Sequence, residues 1–133
     1  MKKYNAVVIG AGPAGQSCAV RIAELGGKVA VVERDFIGGI CTNWGCTPSK
    51  AMIESAKVAH EVENSGKYGI TVDQYQIDFS VIAKRRNKVI INTRDFITDL
   101  LQHHRVVHAH PTYNEIIKSA LEYAEGKAVD FHL

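Results

Sequence analysis

Six residues near the start, Gly10-Ala11-Gly12-Pro13-Ala14-Gly15, constrain this chain more than any others. They follow an apolar run, Ala6-Val7-Val8-Ile9, in a buried strand predicted over 4–9. They precede a helical pattern through Val20, Ile22, Ala23 and Leu25, which Gly26-Gly27 stops. A second apolar run, Val29-Ala30-Val31-Val32, ends at Glu33. Strand, glycine turn, helix and strand make a β-α-β unit, right-handed by strong preference. Each glycine of the G-x-G-x-x-G has an assignable task. Gly10 permits the tight turn, Gly12 lets a pyrophosphate approach the backbone, and Gly15 lets the helix pack close to the strand. Glu33, 18 residues beyond Gly15, stands where a carboxylate can accept protons from both hydroxyls of a ribose. The pattern points to a dinucleotide without separating FAD from NAD. A glycine turn with a structural role alone is the competing reading.

A second feature follows directly. The stretch from Gly38 to Lys50 holds Cys41 and Cys46, two of the three cysteines, with four residues between them. Cys46 falls just before a predicted helix start, and Pro48 suits the first helical position because its missing N–H costs nothing there. A thiol at a helix N-terminus feels the positive end of the helix dipole, so Cys46 is expected to ionise more easily than a free cysteine. The spacing is compatible with a redox disulfide, with two inert core thiols and with half of a metal site. The remaining cysteine, Cys18, lies within the first predicted helix, which leaves zinc short of ligands.

The rest of the chain reads as helices joined by loops. A helix is predicted over 51–63, then a loop over 66–76 with a short extended piece at Ile70-Thr71-Val72. Asp78 can cap a long helix in which Phe79, Ile82, Val89, Phe96, Leu100 and Leu101 recur at helical spacing as far as His104. Lys84-Arg85-Arg86 and Lys88, interleaved with Ile82 and Val89, read as a solvated face of that helix. His60 reads as a surface or boundary residue, and His103 and His104 as cations favoured by the helix dipole or polar surface residues rather than a metal pair, since adjacent residues on a helix point in different directions. An extended piece over 105–109 precedes Pro111, which pushes His110 away from helical angles. Thr112 and Glu115 fit a capping box for a helix bearing Ile116, Ile117, Ala120, Leu121 and Ala124 and ending at Gly126.

Composition sets limits on partners. With 133 residues the chain is about one domain long, and 46% hydrophobic content allows a core. The net charge of +2, from 16 basic and 14 acidic residues, calls for neither nucleic acid nor a membrane surface. Met1-Lys2-Lys3 and the apolar run that follows lack the ending of a secretory signal. No stretch approaches the ~18 apolar residues of a membrane span. A soluble cytoplasmic protein is expected.

Taken together, the dinucleotide fingerprint, the acid on the second strand and the motif GGxCxNxGCxPSK resemble the FAD-dependent pyridine nucleotide-disulfide oxidoreductases, most closely those acting on dihydrolipoamide. The match runs from Tyr4 to about Val106. A second match, His108-Ala109-His110-Pro111-Thr112 with Glu115, resembles the C-terminal dimerisation domain of the same family. The resemblance implies an α/β fold: a Rossmann-like β-α-β FAD-binding half-domain with long helices over 1–106, and a remnant of the dimerisation domain over 107–133.

The resemblance also implies roles. Cys41 is the thiol that exchanges with a dithiol substrate such as dihydrolipoamide, and Cys46 is the thiolate beside the flavin. His110 is the base, oriented by Glu115. FAD contacts fall to Gly10, Gly12, Pro13, Ala14, Gly15, Glu33, Arg34, Gly39, Thr42 and Lys50, with no metal. Electrons pass from the dithiol to the disulfide, to FAD and on to NAD, in a homodimer. Family members are several times longer, and neither a second G-x-G-x-x-G nor the flavin-contacting Gly-Asp segment occurs here. No NAD site is visible in the sequence, so an internal deletion near Val106-Val107 is expected. With it comes a thin sheet whose uncovered faces call for oligomerisation or a partner. A non-catalytic dinucleotide-binding or dimerisation fragment is the alternative.

Overall fold

The computed structural model describes residues 3–109. Its elements are β1 (Ala6–Ile9), α1 (Pro13–Glu24), β2 (Val29–Val32), α2 (Gly39–Asn43), α3 (Cys46–Glu63), a 3-10 turn (Ser65–Tyr68), α4 (Phe79–His103) and β3 (Val107–Ala109). The three strands form one parallel sheet in the order β1-β2-β3, with Ala6 opposite Val29 and Ala30 opposite Val107. This is the expected Rossmann-like β-α-β unit, and the run predicted over 105–109 supplies a third strand, shortened to its last three residues. The segment from His110 onward, with its predicted capping box and helix, lies outside the described residues.

Element boundaries follow from local hydrogen bonding. The first strand starts at Ala6 rather than Tyr4 because the Asn5 side-chain oxygen takes the Lys28 N–H at 2.8 Å, which ends the ladder. Helix α1 begins at Pro13, where no N–H is missed, and closes when the Gly26 and Gly27 N–H groups reach the Ala23 and Ile22 carbonyls. Asp78 caps α4 as expected, accepting from the N–H groups of Ser80 and Val81 at 2.8 and 3.1 Å.

Two local expectations are corrected, and one element is new. The second cysteine is the first residue of α3 rather than the residue before it, so Pro48 sits third in the helix. A proline is tolerated there because the first turn needs no intrahelical donors. Residues 70–72 pair with no strand and continue an exposed loop behind the 3-10 turn. Helix α2 had no signal in the sequence, as five residues are too few for a helical period to show.

The core lies between β2, α1 and the C-terminal half of α4. It comprises Ala11, Ala19, Val29, Val31, Ile37, Ile97, Leu101 and Val106. The N-terminal half of α4 packs instead on α3, and Arg85 pins the two helices by donating to the Ala51 carbonyl at 2.8 Å and the Ser55 hydroxyl at 3.3 Å. Arg85 therefore does more than line a solvated face. Phe79 and Phe96, which share the predicted apolar set, are both 66% exposed.

Candidate dinucleotide and redox site

Two turns meet at the C-terminal end of the sheet. The first is the glycine loop between β1 and α1. Its Gly10 N–H is tied to the Val32 carbonyl at 2.7 Å, which sets the loop at the end of β2. A Cβ on Gly15 would run into the Gly10 carbonyl oxygen, so only glycine lets α1 enter so close to the loop. Over Gly12 a Cβ would meet nothing within 4 Å. No side chain caps the N-terminus of α1, leaving its positive dipole end and first N–H groups beside that open space. The donor set and the opening at Gly12 fit a pyrophosphate. Pro13 and Ala14 are exposed at the same helix start.

Glu33 stands at the end of β2, but its carboxylate faces the protein. One oxygen accepts the Ala11 N–H at 2.8 Å and the other the Asp35 N–H at 3.1 Å. It therefore braces the glycine loop, and each oxygen keeps lone-pair capacity for a further donor such as a ribose hydroxyl. Arg34 beside it is exposed.

The second turn carries the cysteines. Gly38 and Gly39 both hold left-handed backbone, at φ 98° and 59°, a conformation that strains other L-residues. Through this pair the turn lies against the glycine loop: the Gly38 N–H donates to the Ala11 carbonyl at 2.9 Å, and a Cβ on Gly39 would sit 3.0 Å from the Gly12 Cα. Thr42, buried at 5% exposure, fills the space over Gly38. Cys41 on α2 and Cys46 at the head of α3 are joined in a disulfide with their Cα atoms 4.7 Å apart. Cys41 is half-buried and Cys46 exposed, and no side chain caps α3. Lys50 lies exposed one turn further along that helix.

Residues to which the sequence reading gave no role hold this second turn. Asn43, buried at 5% exposure, donates through its amide to the carbonyls of Ile37 at 3.1 Å and Gly39 at 2.7 Å, and more weakly to Phe36 at 3.4 Å. Its side-chain oxygen accepts from Arg94 Nε. The Arg94 guanidinium lies 3.9 Å above the Phe36 ring, whose centroid is 6.2 Å from that of the exposed Trp44. Beside Trp44 a cleft of about 350 Å³ is lined by Asn43, Pro48, Arg86, Asn87 and Ile90. Asn43 is part of the cysteine motif, which is the only sequence signal that marks it; Arg94 and Phe36 carry none.

Other predicted residues fall elsewhere. His110 and Glu115 lie outside the described residues. Cys18 is exposed on α1 and His60 is exposed on α3. The rings of His103 and His104 meet edge to face with centroids 5.2 Å apart. Among the described residues no group of three or more His, Cys, Asp or Glu side chains comes together as a metal site, and no helix is long and apolar enough to cross a membrane.

Comparison with known proteins gives the same picture. The family model described as pyridine nucleotide-disulphide oxidoreductase matches residues 4–129. A dihydrolipoyl dehydrogenase from Zymomonas mobilis is 40% identical over 103 residues, covering 77% of this chain and 22% of that protein. One from Acholeplasma laidlawii is 37% identical over 124 residues, or 91% of this chain and 36% of that protein. One from Corynebacterium glutamicum is 36% identical over 125 residues, or 93% and 26%. The chain thus spans between 22% and 36% of the length of these curated relatives.

Proposed function

The chain belongs to the pyridine nucleotide-disulphide oxidoreductases, and from that premise we propose that it is the FAD-binding, disulfide-bearing part of an enzyme of dihydrolipoyl dehydrogenase type. On this reading a dithiol such as dihydrolipoamide delivers electrons to the Cys41–Cys46 disulfide, with FAD and then NAD as acceptors in a homodimeric enzyme. The observation that carries it is the meeting of the two turns: the disulfide segment is hydrogen-bonded, through Gly38, to the glycine loop that would hold the cofactor. The residue roles are part of the same proposal, as is the division into an FAD-binding part over 1–106 and a dimerisation remnant over 107–133.

The chemistry of this chain's residues follows from thiol–disulfide exchange. One substrate thiolate attacks Cys41 Sγ, the S–S bond breaks, and Cys46 leaves as a thiolate at the head of α3. The helix dipole favours that negative charge, which lowers the barrier to its departure. The second substrate thiolate then attacks the substrate sulfur bonded to Cys41, closing the product disulfide and releasing Cys41 as a thiolate. Two electrons enter the protein pair and two protons leave the substrate; His110, oriented by Glu115, is the proposed acceptor for one of them. FAD would be held by the α1 N-terminus with Gly10, Gly12, Pro13, Ala14 and Gly15, by Glu33 and Arg34, and by Gly39, Thr42 and Lys50. When bound it supplies the two-electron acceptor chemistry that thiols lack.

The test is the visible absorption spectrum of the purified chain before and after an added dithiol, with released cofactor identified after denaturation. A flavin spectrum that changes on addition of dithiol, and changes no longer in Cys46→Ser, is the expected result. A colourless protein that takes up no FAD would overturn the enzymatic reading. The alternative would then narrow to a dimerisation fragment, a reading that the large apolar side chains left exposed among the described residues favour, Ile40 at 75% and Leu25 at 71% among them.

A further inference from the structure

Helix α2 has five residues, carries Cys41, and is too short to hold its own direction in water. Something outside it must fix where Cys41 points. The only buried side chains of α2 are Thr42 and Asn43. Asn43 uses both ends of its amide: the NH₂ gathers the carbonyls of Ile37 and Gly39, with Phe36 at the edge of range, and the oxygen takes the proton of Arg94 Nε. The Phe36 and Ile37 carbonyls belong to the segment that enters α2 and the Gly39 carbonyl to its first residue, so one side chain ties the start of the short helix to its end. Arg94 brings α4 into the same knot and stacks on Phe36 at 3.9 Å. Gly38, within that segment, is bonded to Ala11 of the glycine loop.

From this network we infer that Asn43 and Arg94 are positioning residues for the redox pair, holding Cys41 within bonding reach of Cys46 and so favouring the disulfide over the dithiol. The physical reason is effective concentration. Two thiols held in register form their disulfide more readily than two thiols on segments that wander, because the ordering entropy is already spent. Removing the Asn43 amide takes from the Ile37 carbonyl its side-chain donor and loosens the tie between α2 and the segment before it. Removing the guanidinium frees the Asn43 oxygen and uncovers Phe36. Asn43→Asp is the sharpest single change, since it keeps an acceptor for Arg94 while turning the donor into a negative oxygen that faces three carbonyls.

This inference rests on the reading of Cys41 and Cys46 as a working pair, but its test needs no cofactor. The full chain is equilibrated with mixtures of reduced and oxidised glutathione: two protein thiols give two electrons and two protons to one oxidised glutathione, forming Cys41–Cys46 and two reduced glutathiones. Free thiols at Cys41 and Cys46 are then counted by alkylation and peptide mapping, which keeps the exposed Cys18 thiol out of the count. Asn43→Asp and Asn43→Ala are expected to shift the equilibrium about tenfold toward the dithiol, Arg94→Gln about threefold to tenfold, and Arg94→Lys less than Arg94→Gln because a donor remains. Thermal unfolding of the reduced forms is followed alongside. If Asn43 variants fail to fold, Arg94→Gln decides, since Arg94 is only half-buried. Exchange equilibria within twofold of the parent in the folded variants, whatever their thermal stability, would show a purely structural role and overturn the inference. Failure of FAD binding in the parent chain would sink the proposed function while leaving this result readable.

Discussion

At the residue scale, the site depends on positions where one atom decides. Gly15 is the clearest. A methyl group there meets the Gly10 carbonyl oxygen, which belongs to backbone fixed by the bond from Gly10 N–H to Val32. Gly15→Ala is therefore expected to push α1 off the sheet, lowering the melting temperature and abolishing any FAD uptake; unchanged cofactor content in the variant would contradict the close-packing account. Leu101 is decisive in the opposite sense, since it is 1% exposed and larger than the other fully enclosed core side chains, Val29 and Val31. Leu101→Ala should cost about 2–5 kcal/mol in chemical denaturation. Glu33 shows how the sequence can mark a residue and still miss its contacts. Its place at the end of β2 was legible from spacing, whereas its bonds to the Ala11 and Asp35 N–H groups were not, because side-chain rotamers answer to donors brought in by the fold.

At the element scale, α4 separates into two halves with different dependencies. Its C-terminal half is held by the core through Ile97 and Leu101, and its N-terminal half by the Asp78 cap and by Arg85 on α3. The Ser80 hydroxyl, then the backbone N–H groups of Val81 and Ser80, hold the Asp78 carboxyl below the usual carboxylate range. A carboxylate with a lowered folded value binds its proton more readily in the unfolded chain. The stability it contributes is thus complete above the unfolded value and lost as pH falls through the folded one. Asp78→Ala should lower the melting temperature at neutral pH, with the gap to the parent closing in strong acid; a gap constant with pH would rule the cap out as the titrating group. The cap was legible from an Asp before an apolar helical run. The anchoring of α3 to α4 by Arg85 was not, since a basic run has the same appearance whether its side chains reach water or a neighbouring carbonyl.

At the scale of the whole molecule, the described residues leave much apolar surface open. Ile70, Val72, Tyr75, Ile77, Phe79 and Val81 follow one another along an exposed stretch, each at least 42% accessible, and Ile9 at the end of β1 is 58% accessible. Apolar surface left open to water favours association. Sedimentation velocity should show assemblies that grow with protein concentration, and a chain that stays monomeric throughout would contradict this. The β-α-β unit, the glycine loop, the long capped helix and the family were determined by the sequence alone, because each rests on periodicity, on residue type at fixed spacing, or on a contiguous motif. The tertiary structure decided the rest: the third strand's place beside β2, the inward turn of Glu33, and the Asn43–Arg94–Phe36 knot that holds the cysteine turn. These join residues as far apart as Ala30 and Val107, 77 positions along the chain, and a contact at that distance leaves no period or spacing in the sequence. It exists only once packing brings its partners together.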